Sequence, residues 1–123
     1  ADEVWYGAAE ADSLAGYWDG SVQFVDKINQ ICLLNREIDV SVRAPLLEMS
    51  KKEIILHGVE LGVNFGDTYT CYSGEYPCDA NSASSALRLK GFVDAGLRDP
   101  LSYKQQDKLN TIYQENNCKS IVF

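Results

Sequence analysis

The chain has 123 residues, enough for one modest hydrophobic core and too few for two. Hydrophobic residues make up 46% of it and aromatics 11%, which excludes a disordered polymer. Eighteen acids against eleven bases give a formal charge of -7, a surface that repels a phosphate backbone and excludes nucleic acid as a partner of the chain alone. No apolar run approaches the ~20 residues that span a bilayer, and the opening ADEVWYG lacks a basic signal-peptide start. Four cysteines (Cys32, Cys71, Cys78 and Cys118) are few for a secreted disulfide scaffold. The expectation is a reduced, cytoplasmic protein with no membrane partner.

EVWYGAA, residues 3 to 9, reads as a buried parallel strand whose C-terminal end opens into a loop. A central strand this early suits either a compact fold without preamble or a piece of something larger. The loop EADSLAGYWDG follows, rich in Gly, Asp and aromatics. From Ser21 the period changes. Phe24, Val25, Ile28, Ile31 and Cys32 fall at helical spacing, with Asp19 or Ser21 as candidate cap and Asn35–Arg36 as the end. Ile38, Val40 and Val42 then alternate with polar residues, a strand signature closed by Ala44-Pro45.

Ser50-Lys51-Lys52-Glu53 is a capping box flanked by the staple pair Met49 and Ile54, so a helix starts there. Gly62 is placed as its left-handed stop. A further helix is predicted over 83–95, with Leu89, Phe92 and Val93 inward and Gly96 as stop. Another is predicted over 102–116, opened by a Ser102-x-x-Gln105 box and burying Leu109, Ile112 and Tyr113. The tail CKSIVF reads as a short edge strand or a frayed end. The order is α/β, and a crossover helix between two strands implies a parallel sheet. Two strands alone make a marginal sheet, so either another copy pairs with them or the fold has further strands before residue 1.

Residues 71 to 84 begin as a zinc loop would. Cys71 and Cys78 flank a Ser-Gly-Glu turn, but the next two C-x-x-C steps hold Asn81 and Ser84. His57, the single histidine, lies on the preceding helix and reads as exposed. Two thiolates with an amide and a hydroxyl bind zinc weakly. Three readings stand: a retained metal, two reduced cysteines in a loop held by Tyr72, Tyr76 and Pro77, or a Cys71–Cys78 disulfide. The loop is read as a former metal site. Ser84-Ser85 lacks a G-x-S-x-G surround and suits a helix cap. Asp12, Tyr17, Trp18 and Asp19 form the densest polar and aromatic group, after a parallel strand, where α/β folds bind ligands. Arg43 and Arg88 are candidate anion ligands or structural ion pairs.

The strings RAPLLEMSKKEIILHGVELGV, TYTCYSGEYPCD and LRLKGFVDAGLRDP, in that order, resemble the C-terminal half of the 7-cyano-7-deazaguanine synthases. These are queuosine-precursor enzymes of the N-type ATP pyrophosphatase group. The likeness covers roughly residues 3 to 101. It implies a truncated Rossmann-like α/β fold: a short parallel sheet with flanking helices and a helical C-terminal part. A single domain over 1–123 is expected, with an α/β part over about 1–66 and a former zinc loop plus helices over about 67–123. The family's S-G-G-x-D-S phosphate loop, which cradles ATP phosphates, does not occur in these residues. Ala9, Gly20, Ser21 and Val22 stand where the family has Asn, Cys, Arg and Pro, and Asn81 and Ser84 replace two of its four zinc cysteines.

The resemblance therefore implies a module without catalysis of its own, homodimeric like the family. Asp12, Tyr17, Asp19 and Arg88 would contact a purine-like ligand, and Cys71 and Cys78 would be a vestigial metal pair. The alternative is one half of a split ligase. A partner chain would bring the phosphate loop, and ATP with magnesium would activate a deazapurine carboxylate.

Overall fold

A computed structural model describes residues 2–9 and 16–122, which fall into two compact units, Ala1–Ser50 and Lys51–Phe123. The first holds strand β1 (Glu3–Trp5), helix α1 (Val22–Cys32) and strand β2 (Ser41–Arg43). The strands pair in parallel with Val4 opposite Val42. Ser21 is the cap of α1, its hydroxyl accepting from the Phe24 N–H at 3.2 Å. A 3-10 turn over Trp18–Gly20 leads into it.

Both strands are shorter than their apolar runs. The Asn35 carboxamide accepts from the Glu37 and Ile38 amides, so Ile38 belongs to a turn rather than the ladder. At the other end Tyr6 N–H donates to Arg43 O at 2.7 Å. The next β2 residue facing β1 is Pro45, which has no N–H to give. The expected buried strand is also corrected. Glu3, Val4 and Trp5 are all exposed, and burial begins at Ala8 and Ala9. The small core of this unit is Ala8, Val25 and Leu47, with Tyr6 and Ala44 against it.

The second unit holds α2 (Lys51–Glu60), α3 (Ala83–Asp94) and α4 (Gln106–Glu115), with a 3-10 turn over Phe65–Asp67. Gly62 and Gly96 stop α2 and α3 at φ +74° and +71°. Beyond each, the next N–H returns to a helix carbonyl: Val63 to Gly58 and Leu97 to Phe92, both at 2.9 Å. Asn117, at φ 53°, plays the same part after α4. The cap of α3 is Ser82, whose hydroxyl accepts from Ser85 N–H, while Ser85 itself is buried. The expected box at Ser102 is absent, because α4 starts at Gln106 and Gln105 turns its side chain elsewhere. The tail makes one parallel bridge, Lys119 opposite Leu97.

Helices α2 and α3 cross closely at Gly91. A Cβ there would stand 2.8 Å from Lys51 Cβ and 2.9 Å from Ile55 Cδ1, closer than carbon atoms pack. Gly91→Val is therefore expected to destabilise this unit by about 2 kcal/mol, read as a lower urea midpoint. Behind the crossing lies the core of Leu89, Leu101, Tyr103, Leu109, Tyr113, Cys118, Cys71 and Cys78.

Candidate functional site

Three polar constellations stand out: the 71–84 loop, the surroundings of Arg88, and the aromatic turn at residues 17 to 19. In the loop, Cys71 and Cys78 are both buried free thiols of one core cluster. Main-chain bonds hold Cys78: its N–H donates to Ser102 O at 3.0 Å and its carbonyl accepts from Lys104 N–H at 2.9 Å. The Tyr69 hydroxyl donates to Glu75 O at 2.6 Å and lies beside the Cys78 thiol. Cys71 Sγ sits 3.1 Å from Ser73 Oγ. The Ser73 hydroxyl and N–H, then Ser82 and the Asp79 amide, hold the Cys71 thiol below its ordinary value, at about 7.

The far side of the loop is fastened by a carboxamide. Gln105 Oε1 accepts from Ala80 N–H, and Gln105 Nε2 donates to Asp79 Oδ1, both at 2.9 Å. The Asn81 N–H also donates to that carboxylate oxygen. The Asn81 amide, then Gln105, keep the Asp79 pKa below the usual carboxylate range. Lys104 pairs with Glu75 across the same turn.

Arg88, on α3, has a guanidinium with five N–H groups. Two bond the Asp99 carboxylate, from Nε at 2.6 Å and from Nη2 at 2.8 Å. The remainder reach Thr68 Oγ1 (2.7 Å), Thr68 O (3.4 Å) and Phe65 O (2.9 Å). The side chains are 11% and 0% exposed. Burial opposes the Arg88 charge, yet bonding to Asp99 raises its pKa above the ordinary value. Asp99 also accepts from Tyr103 Oη at 2.8 Å and from Leu101 N–H at 3.0 Å. With every donor engaged internally, Arg88 here is an anchor of the 65–68 and 99–103 segments. Sequence reasoning missed its partner Asp99, eleven residues on, although the quoted R-D-P carried it.

Tyr103 and Tyr113 add a pH dependence. Burial and then the Asp99 charge raise the pKa of both phenols, Tyr113 to about 12. An acid whose pKa is raised by folding contributes stability that is complete below its unfolded value of 10.0 and is lost as pH rises above it. Stability should therefore fall above pH 10, with tyrosinate absorbance appearing together with loss of helicity, and Tyr103→Phe should flatten the slope.

In the first unit, Tyr6 Oη donates to Asp19 Oδ2 at 3.1 Å, and Trp18 stands edge-on to Phe24 with centroids 5.1 Å apart. Tyr17 is exposed beside them. Asp12 lies outside the described residues. Arg43 is engaged with Glu3 at 3.2 Å, and His57 stands on the surface 3.6 Å from Glu60. A groove of about 310 Å³ opens between α3 and α4, lined by Leu89, Val93, Leu109 and Ile112.

The family model described as "Queuosine biosynthesis protein QueC" matches residues 1–96. The chain belongs to the QueC family. It is 35% identical over 105 residues to the 7-cyano-7-deazaguanine synthase of Marinobacter nauticus, which covers 85% of the chain and 47% of that relative. The counterpart from Chlorobium phaeobacteroides is 38% identical over 108 residues, covering 86% and 47%. That from Clostridium kluyveri is 34% identical over 110 residues, covering 85% and 48%. The chain thus spans about half the length of the curated relatives it matches. No solved structure matches.

The resemblance to QueC implies a zinc at the loop, and the donors present do not fit it. Among the described residues no three of His, Cys, Asp and Glu converge on one point. Asn81 is exposed and offers an amide, and Ser84, in the first turn of α3, offers a hydroxyl and not a thiolate. The Gln105–Asp79–Ala80 bonds tie the loop down instead. Purified protein is expected to carry well under one zinc per chain by elemental analysis. Its melting temperature should be unchanged by EDTA, a shift of several degrees being the contrary result.

Proposed function

We propose that these 123 residues form the C-terminal module of a deazaguanine-synthase-type fold that is non-catalytic by itself. The observation that carries this reading is coverage. The relatives run about twice as far, and the residues in hand contain no S-G-G-x-D-S phosphate loop. Without backbone amides that grip ATP phosphates, a carboxylate is not activated by adenylation. In this reading the module is a cytoplasmic homodimer, and Asp12, Tyr17 and Asp19 line a purine-like pocket. The Asp19 carboxylate, oriented by Tyr6, suits the N–H edge of such a ring.

The same half-length coverage favours a second reading, in which a partner polypeptide supplies the phosphate loop. The pair would use ATP and magnesium to activate a deazapurine carboxylate before an amine attacks. A thermal-shift series with guanine, a carboxylated deazapurine and AMP tests the pocket. Stabilisation by the deazapurine, lost in Asp19→Ala, is expected. No shift with any of the three would leave a purely structural module.

A further inference from the structure

The core of the Lys51–Phe123 unit is not closed on every side. Ala80, Val93 and Ile112 pack on it while staying half-buried. All three line one feature, the groove of about 310 Å³ between α3 and α4, together with the buried pair Leu89 and Leu109. The helix period explains the groove. Leu89 and Val93 lie one turn apart on α3, and Leu109 and Ile112 one turn apart on α4, so each helix gives it one apolar row. A groove of this size falls in the range that takes a small molecule.

Its chemistry is one-sided. Every apolar residue of the lining is aliphatic, so the walls offer methyl groups and no ring on which a planar base could stack. The charged residues of the lining are Lys90 and Lys108, with no carboxylate among them, in a chain of eighteen acids and eleven bases. Lys90 stands one turn before Val93 and Lys108 one turn before Ile112, so each borders the apolar row of its own helix. Both are exposed, the setting in which a lysine lays its methylene stem on apolar surface and keeps its ammonium in water. Lys90 pairs with Asp94 on its own helix, which offsets its charge. Lys108 makes no ion pair among the described residues.

From the aliphatic lining and the cationic border we infer that the α3–α4 groove binds a free aliphatic carboxylate. Its hydrocarbon chain lies along Leu89, Val93, Leu109 and Ile112, and its head group meets Lys108. Other small occupants fit less well. A purine-like ring finds nothing to stack on, a cationic amphiphile meets two ammonium groups, and phosphate leaves the apolar walls in water. No residue of the Tyr6–Asp19 cluster lines the groove, so the inference does not rest on the proposed purine-like pocket and survives its loss.

The test is an NMR titration of the isotope-labelled chain with sodium decanoate, at neutral pH and below the concentration at which decanoate forms micelles. Saturable shifts of the Leu89, Val93, Leu109 and Ile112 amides are expected at about millimolar concentration or below. Decyltrimethylammonium keeps the tail, reverses the charge and should bind about fivefold more weakly, the scale of one exposed ion pair. Butyrate keeps the head group without the tail and should not saturate. Lys108→Glu changes an exposed side chain, and a spectrum unchanged away from the groove checks that the fold is kept. It should weaken decanoate by about fivefold and reverse the order of the two amphiphiles. Absence of saturable decanoate shifts would overturn the inference. So would equal affinity for the two amphiphiles, or a Lys108→Glu chain that keeps the parent's affinity, since either makes the groove a bare apolar surface. Groove shifts produced by raising the protein concentration without ligand would also overturn it, by making a second copy the occupant.

Discussion

Arg88→Met is expected to destabilise the Lys51–Phe123 unit by about 3–5 kcal/mol, the cost of leaving one member of a buried ion pair alone. Asp99 would remain fully buried with its charge, helped only by the Tyr103 hydroxyl and the Leu101 amide. Phe65 and Thr68 would lose their donor as well, releasing the 3-10 turn that precedes the loop. A second substitution separates charge from packing. Asp99→Asn on the Arg88→Met background removes the orphaned charge and should recover part of the loss, whereas Asp99→Asn alone should cost stability. Urea unfolding followed by circular dichroism measures all three. A single variant within ~0.5 kcal/mol of the parent, the range of ordinary surface substitutions, would deny Arg88 this role.

Phe92→Ala should cost about as much, ~3–5 kcal/mol, through the cavity left by a ring that is 1% exposed. That ring stands edge-on to Phe65, with centroids 5.3 Å apart, and carries the Arg88 guanidinium at 5.4 Å over its face. Because Phe92 and Arg88 touch, their effects should not add. The double variant is expected to lose less than the sum of the singles. Phe92→Leu, which keeps most of the volume, should lose less than half as much as Phe92→Ala.

What the sequence revealed follows how local each signal was. Gly62 and Gly96 were readable as helix stops because a left-handed residue after an apolar stripe has one common use. Asn117 does the same work but sits in a polar stretch that gave it no contrast. The start of α4 was misplaced because Gln105 is committed to Asp79 and Ala80, more than twenty residues back, and local spacing does not report such a bond. EVWYG reads as buried from its apolar character, yet Glu3, Val4 and Trp5 are all exposed and burial begins only at Ala8.

The site divides in the same way. The misfit at the metal loop was legible in Asn81 and Ser84, since donor type alone decides it. The role of Arg88 was not, because an arginine that binds an anion and one that anchors two loops look alike until Asp99 is placed. The Asn29 carboxamide, which donates to Val42 O at 3.0 Å and accepts from Val42 N–H at 2.7 Å, left no local trace at all, since an asparagine within a helical stripe reads as solvated polarity.

The most direct check is an assay of AMP release by the purified 123-residue chain, given ATP, magnesium and a carboxylated deazapurine. The expected result is AMP at the level of a protein-free control. Multiple turnovers of AMP and pyrophosphate, dependent on the deazapurine, would contradict the view that this half of the QueC fold needs the other half to activate a carboxylate.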